Sequence, residues 1–295
     1  MFTVCIPAHN EEENIQRIAN NVRQSKIWME SEEKELIFCI NGSSDRSVAR
    51  AQTVAQRDPH VRVIVSDKKG KNNAWEMLVK ESNPRSEFLY FVDADVAVNP
   101  NTFSKLESEL RKAPSLAVEG ARLVPIPENG FFSIHRRMYE KRFNQSPFEG
   151  RIPVLSGACY AIRRSEAVKV QMPKDQRIAE DSFLEALFLG RVKIIAGAKV
   201  SFRIPNFIDN IRAEKRKKVS AYLLLKQYPQ FRENYKATLE QSAFRTPRNL
   251  TVMERYALEA SSHADTIAGV LSWVDILGKR DLWKKLKSTK RKIRR

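Results

Sequence analysis

Apolar and polar positions follow two rhythms along the first two hundred residues. Compact apolar runs at Thr3–Pro7, Glu35–Ile40, Val61–Ser66 and Phe88–Val92 read as strands, the third through its alternating valines. Between and after them, helical spacing marks Glu11–Gln24, Ser47 to about Arg57, Lys71–Glu81 and Asn101–Lys112. The last has Asn99 or Asn101 as a candidate cap and Pro100 near its start. Strands alternating with helices of this length predict βαβ units and a parallel sheet, an α/β fold class. Ligands of such sheets bind beyond the carboxyl ends of the strands. The residues that follow each strand are therefore the first candidates for chemistry.

The rhythm then changes. Leu116–Ile126 is long and apolar with no crossover helix before the next element. Residues 127–152 mix Pro, Gly, Phe and charges and read as a surface excursion. Val154–Ile162 and Val192–Ile204 are strand-like, and Glu180–Leu189 is helical. From about Ile208 the pattern is mainly helical, with breaks near Pro229 and Pro247. The expected organisation is a catalytic domain over 1–205, a helical region over 206–277 and a basic tail over 278–295.

Four successive strand ends carry polar groups: Pro7-Ala8-His9-Asn10-Glu11-Glu12, Asn41-Gly42-Ser43-Ser44-Asp45, Lys68-Lys69-Gly70-Lys71 and Asp93-Ala94-Asp95. Taken singly, each has an ordinary explanation as a turn, a cap or a solvated loop. Asp93 and Asp95 are harder to explain that way. They close an apolar strand, would repel each other if unpaired, and suit a hard divalent cation that prefers oxygen ligands. Such a cation bridges a diphosphate and neutralises charge on a leaving nucleotide.

The order of these segments resembles glycosyltransferase family 2, an inverting family with the GT-A fold. That family pairs Pro-x-x-Asn-Glu, here Pro7 to Glu11, with an Asp-Gly-Ser-x-Asp turn, here Asn41 to Asp45. Gly70-Lys71 before a helix, the Asp-x-Asp, Ser156-Gly157 with Arg163-Arg164 following, and Glu180-Asp181 at a helix start complete the match over about residues 1–205. The resemblance implies a mixed, mostly parallel sheet flanked by helices, followed here by a C-terminal helical extension. It implies that Pro7, Ala8 and Glu11 line the nucleoside pocket and that Lys71 approaches the diphosphate or base. Asp93 and Ala94 would face the ribose or metal-bound water, and Asp95 would coordinate Mg2+ or Mn2+. Ser156, Gly157 and Glu180 would belong to the acceptor and donor loop. Asn41 departs from the family's aspartate, exchanging an acceptor for an amide that also donates.

Asp181 is the implied general base, since displacement at an anomeric carbon needs the incoming hydroxyl to lose a proton. A helix-capping acid would occupy the same position, and both readings stay open. The Gln-x-x-Arg-Trp segment of processive members is absent, which disfavours a polymer synthase. Arg212 or Arg216 could clamp the diphosphate, or could simply lie on a solvated basic helix face.

Composition refines this picture. The chain has 295 residues, 42% hydrophobic and 29% charged, as in folded soluble proteins rather than disordered ones. Cys5, Cys39 and Cys159 lie singly in apolar runs, with no CxxC spacing. They are expected to be reduced core thiols of a cytoplasmic protein, not a disulfide or zinc framework. No signal peptide is expected at the N-terminus, and no window reaches the ~20 apolar residues of a membrane span. The net charge of +17 calls for an anionic partner.

Residues 278–295 carry ten Lys or Arg and one Asp, about half of that excess. Ile267, Val270, Leu271, Val274 and Leu277 precede them at helical spacing, near Trp273 and Trp283. This fits a helix on an anionic membrane surface, at the inner face of the cell membrane, and it fits equally a helix packed on the catalytic domain with a solvated tail. Nucleic acid is the disfavoured partner, because no zinc finger, RRM-type aromatic motif or helix-turn-helix signature accompanies the charge.

The expected activity is therefore transfer of a hexose from a UDP- or GDP-sugar to a hydroxyl acceptor, non-processive, with a lipid-linked acceptor as one reading of the tail. Its rivals are a sugar nucleotidyltransferase, which would need a Gly-rich loop after the first strand, and an inactive GT-A fold that binds membrane or nucleic acid.

Overall fold

The computed structural model describes residues 1–126, 155–205 and 207–233. The elements, in chain order, are β1 (Phe2–Ala8), α1 (Ile15–Arg23), α2 (Lys26–Glu30), β2 (Lys34–Asn41), α3 (Ser47–Gln56), β3 (Val61–Ser66), α4 (Lys71–Glu81) and β4 (Phe88–Val92). They continue with β5 (Ala97–Val98), α5 (Thr102–Lys112), β6 (Val118–Pro125), β7 (Cys159–Arg163), α6 (Arg164–Ala167), α7 (Glu180–Leu187), β8 (Val192–Phe202) and α8 (Phe207–Gln227). One sheet of eight strands holds them together, in the order β3-β2-β1-β4-β7-β6-β8-β5.

The β3-β2-β1-β4 half is wholly parallel, with Val4 opposite Leu36 on one side and Tyr90 on the other. β7 runs antiparallel to both β4 and β6, β8 is parallel to β6, and β5 is antiparallel to β8. The sheet is thus mixed and mostly parallel, as expected. The parallel half puts the ends of β1, β2, β3 and β4 along one edge.

Both faces of the sheet are buried, which explains why its strands read as continuous apolar runs. Val4, Ile6, Leu36, Phe38 and Ile40 meet α1, α3 and α5 through Ile15, Ile18, Val22, Val54, Phe103 and Leu106. On the opposite face Cys5, Ile37 and Cys39 meet Trp75 and Leu78 of α4, Leu184 of α7 and Val219, Leu223 and Leu224 of α8. Trp75, Phe91 and Tyr160 stack at centroid separations of 5.4 and 5.3 Å, and the Trp75 indole N–H donates to the Tyr160 hydroxyl at 2.9 Å. The three cysteines are free and buried. Burial pushes the Cys39 thiol up to about 12 and Cys5 and Cys159 well above the ordinary range.

Two expected elements start well inside their sequence patterns. The first helix starts at Ile15, not at residue 11, because Glu11–Asn14 form a turn in which Asn14 and Ile15 N–H donate to the Glu11 carbonyl at 2.8 and 3.1 Å. The strand expected from Val154 begins at Cys159, since the backbone just before it bonds to α7 instead of a strand. Asn101 holds the cap position of α5 but makes no side-chain capping bond. The short α2, β5 and α6 were not anticipated. The surface excursion at 127–152, the break at Pro247 and the basic tail lie outside the described residues.

Candidate active site

The ends of β1 and β2 are tied to each other mainly by neutral groups, with Glu12 N–H donating to Asp45 at 3.3 Å and an exposed Glu12–Arg46 pair at 3.1 Å beside them. Asn10, in the left-handed region at φ 54°, accepts Ser44 N–H at 2.7 Å and Asp45 N–H at 3.3 Å on its side-chain oxygen. Its own N–H donates to Ser43 Oγ at 2.9 Å, and Glu11 N–H donates to Ser47 Oγ at 2.7 Å. Ala8 and Glu11 are buried and Pro7 is half-buried, so this turn is a fixed wall. Asn41, buried at the end of β2, donates from Nδ2 to the Gly70 carbonyl at 3.0 Å. A carboxylate could not make that bond, so the departure from the family's aspartate has a structural consequence. Gly70 itself sits at φ 117°, and a Cβ there would run into Gln176.

The ends of β3 and β4 meet α7 through charge. Lys71 Nζ lies 2.7 Å from Asp93 Oδ1 and 2.6 Å from Glu180 Oε1, and donates to the Gly157 carbonyl at 3.3 Å. Asp181 Oδ2 accepts Gly157 N–H at 2.9 Å, and its Oδ1 accepts Ser182 N–H at 2.7 Å. One turn on, Glu185 Oε2 accepts Leu155 N–H at 3.2 Å. The 155–158 segment is therefore laid along α7 by two carboxylates, and Ala158 N–H donates to Ser156 Oγ at 3.3 Å. Glycine at 157 leaves room for the ends of both Glu180 and Lys71, which a Cβ would displace. Asn72 braces the stretch before α7, donating to the Pro173 and Ile178 carbonyls at 3.1 and 3.0 Å.

Burial dominates the electrostatics. It pushes Glu180 up to about 7, against the pull of Lys71, with the Asp181 and Asp93 charges adding to the rise. Asp95 rises to about 6, first through burial and then through repulsion from Asp93. Burial alone would lower Lys71, but Asp93, Glu180 and Asp181 together raise it well above its ordinary value. Two neighbouring carboxylates whose mutual repulsion Lys71 and Arg17 offset only in part fit a hard dication. Among the described residues no third His, Cys, Asp or Glu joins them in a metal-holding cluster, so donor oxygens or water would have to supply the other ligands.

Several placements differ from the sequence picture or add to it. Arg212 forms an ion pair with Asp209 at 3.0 Å, and its side chain is 54% exposed. Burial lowers Arg216 of α8, while Asp209 and then Asp95 pull it up. Arg163 donates to the Leu116 carbonyl at 2.8 Å and to the last carbonyls of α5, away from the site. Arg17 was missed. It donates to the Ala94 carbonyl at 2.8 Å and the Val96 carbonyl at 2.5 Å, with Asn14 Oδ1 at 3.1 Å, and so fixes the turn that carries Asp95. Its only signal in the sequence is an arginine among the apolar positions of α1.

Set beside known proteins, the arrangement has a clear relationship. The model of a family described as glycosyl transferase family 2 matches residues 3–169. The chain belongs to glycosyl transferase family 2. It is a glycosyltransferase with the GT-A fold. Dolichol-phosphate mannosyltransferase of Saccharomyces cerevisiae is 23% identical to this transferase over 263 residues, covering 79% of this chain and 86% of the yeast protein. The mannosyltransferase PcManGT from Pyrobaculum calidifontis, solved in complex with GDP-Man and Mn2+, aligns with a TM-score of 0.62 at 14% identity, over 95% of this chain and 88% of that one. Glucosyl-3-phosphoglycerate synthase from Mycobacterium tuberculosis, solved with Mn2+, UDP and phosphoglyceric acid, aligns at a TM-score of 0.53 and 16% identity, over 77% and 78% of the two chains. At these identities the two structures speak to the fold of the transferase. Its family sets aside the nucleotidyltransferase alternative.

Proposed function

We propose that this transferase moves a hexose from a UDP- or GDP-sugar to an acceptor hydroxyl by one inverting displacement, assisted by Mg2+ or Mn2+. The observation that carries the reading is the meeting of Asp93 and Asp181 around Gly157 and Lys71, with the buried Asp95 within electrostatic reach of Asp93 and Lys71. Asp95 and Asp93 would hold the dication, which when bound neutralises charge on the departing diphosphate. The wall of Pro7, Ala8, Glu11 and Asn41 would receive the nucleoside. Arg216, more than Arg212, has the position to add charge-assisted bonds to the diphosphate.

Asp181 would take the acceptor proton as the new bond to the anomeric carbon forms and the bond to the diphosphate oxygen breaks. Its Oδ1 accepts the N–H and hydroxyl of Ser182, and its Oδ2 accepts Gly157 N–H alone and keeps a further lone pair for the acceptor proton. Support for the donor class comes from relatives solved with GDP-Man or UDP, both with Mn2+. The yeast relative's name favours a second acceptor reading, a lipid-linked phosphate. Such an acceptor is already ionised and would need no base.

No helix among the described residues is long and apolar enough to cross a membrane. A peripheral location at the inner face of the cell membrane rests on the basic tail. A thermal-shift panel of UDP-, GDP- and TDP-sugars with Mn2+ tests the central claim. One base should stabilise the protein, and Asp95→Asn should remove the metal-dependent part. Failure of every nucleotide to stabilise it would refute the donor assignment.

A further inference from the structure

Lys71 is the least free group of the site. Its ammonium donates to the Gly157 carbonyl and lies at ion-pair distance from both the Asp93 and the Glu180 carboxylates. Its side chain is 19% exposed, and the Glu180 carboxyl beyond it is 4% exposed. In this arrangement the ammonium is neutralised by two carboxylates before any diphosphate arrives. The oxygen that Lys71 holds on Asp93 also belongs to the carboxylate pair that suits a dication, and two cations on one carboxylate repel each other strongly where water is scarce.

We infer that Lys71 is a built-in counter-ion for Asp93, which the donor-bound dication displaces, and that the freed ammonium then meets the donor diphosphate, so that metal and nucleotide bind cooperatively. The inference rests on the reading of Asp93 and Asp95 as the metal anchor. Glu180 is the hinge of the exchange. It stays paired with Lys71 in both arrangements and keeps the ammonium from leaving the site when Asp93 lets go. Gly157 lets both side chains lie against the backbone, since any Cβ would push them apart. Linkage is reciprocal: whatever the metal gains from the nucleotide, the nucleotide gains from the metal.

The test is Mn2+ binding to the whole protein, followed by electron paramagnetic resonance of free Mn2+, with and without UDP or GDP. Lys71→Met should bind Mn2+ alone ~10-fold more tightly than wild type, and the factor by which nucleotide tightens Mn2+ should shrink correspondingly. Glu180→Gln should weaken Mn2+ alone ~3-fold, because Lys71 is left with Asp93 as its charged partner. In the Lys71→Met background the Glu180→Gln change should have no further effect, whereas simple removal of charge would add. A folded Lys71→Met protein that binds Mn2+ no more tightly than wild type, or strictly additive effects, would overturn the inference. If Lys71→Met does not fold, Glu180→Gln still decides: unchanged Mn2+ affinity refutes the exchange. Absence of Mn2+ binding by wild type, even with UDP and GDP, would instead bring down the metal anchor itself and the counter-ion with it.

Discussion

The two banks of the site are built from different chemistry. The β1–β2 bank is knit chiefly by Asn10, Ser43, Ser47 and Asn41, neutral side chains that satisfy backbone groups, and its charges, Asp45 and the Glu12–Arg46 pair, lie at its more exposed rim. The β4–α7 bank is knit by Lys71, Asp93, Asp95, Glu180 and Asp181, with Glu185 behind them. Neutral side-chain-to-backbone bonds are indifferent to pH and to the arrival of a charged ligand, so the first bank can hold a fixed shape. Buried charges are expensive unless paired. The second bank therefore shows its cost as raised carboxyls, with Asp95 at about 6, Glu180 at about 7 and Glu185 at about 8. The contrast teaches a division of labour: shape is stored mainly in neutral side-chain-to-backbone bonds, and response to a ligand is stored where buried charge is crowded.

The strongest way to break this contrast is to neutralise the charged bank without changing its shape. Asp181→Asn should keep nucleotide binding while lowering turnover with a hydroxyl acceptor by ~10²–10⁴-fold, read as kcat at saturating donor. Near-normal turnover would sink the base assignment and favour an acceptor that is already ionised. Next, Gly157→Ala leaves every charge in place but drives Glu180 and Lys71 apart. It should cost about 10²-fold in kcat, since small misplacements at a reacting centre are that costly. A variant with full activity would show that the close approach is not required.

A smaller effect is expected in the neutral bank. Asn41→Asp sets a carboxylate against the Gly70 carbonyl and removes the donor that held it. The loss should be ~1–3 kcal/mol of unfolding free energy in denaturant titration. No loss would mean that the amide is there for the ligand alone.

The smallest effect concerns pH. Burial raises Glu185 to about 8 and Glu119 to about 8 from an ordinary 4.5. Both are almost wholly buried, and neither Glu119 oxygen has a hydrogen-bond partner. A carboxyl whose folded value is raised holds more protons folded than unfolded, so stability is full below about 4.5 and falls as pH rises towards about 8. Glu119→Gln with Glu185→Gln should flatten that slope, leaving Tm unchanged near pH 4.5 and raising it by ~5 °C near pH 8. A parallel slope in the variant would assign the pH dependence elsewhere.

Much of this architecture was legible before any coordinates. The strands from Thr3, Glu35, Val61 and Phe88 and the helix at Lys71–Glu81 stand where hydrophobic periodicity put them, because both faces of the sheet are covered and the apolar runs are unbroken. Candidate residues at strand ends were legible for the same reason, since a parallel sheet delivers its carboxyl ends to one edge. Arg17 was not, because its partners are the carbonyls of Ala94 and Val96, almost eighty positions away, and backbone carbonyls have no signature in sequence. The choice between Arg212 and Arg216 was also hidden. Both lie on one helix near Asp209, and only the fold leaves Arg212 exposed while burying Arg216 within electrostatic reach of Asp95.

The sequence by itself determined the alternation of strands and helices, the family, and which side chains could carry charge at the sheet edge. Those properties follow from local periodicity and from short motifs read along the chain. Tertiary structure alone decided which of those charges meet. It laid Leu155 and Gly157 along α7, placed Lys71 between Asp93 and Glu180, and turned Asn41 towards Gly70. The physical reason is that hydrogen bonds and ion pairs act over a few ångströms in space, between residues that the chain separates by tens of positions.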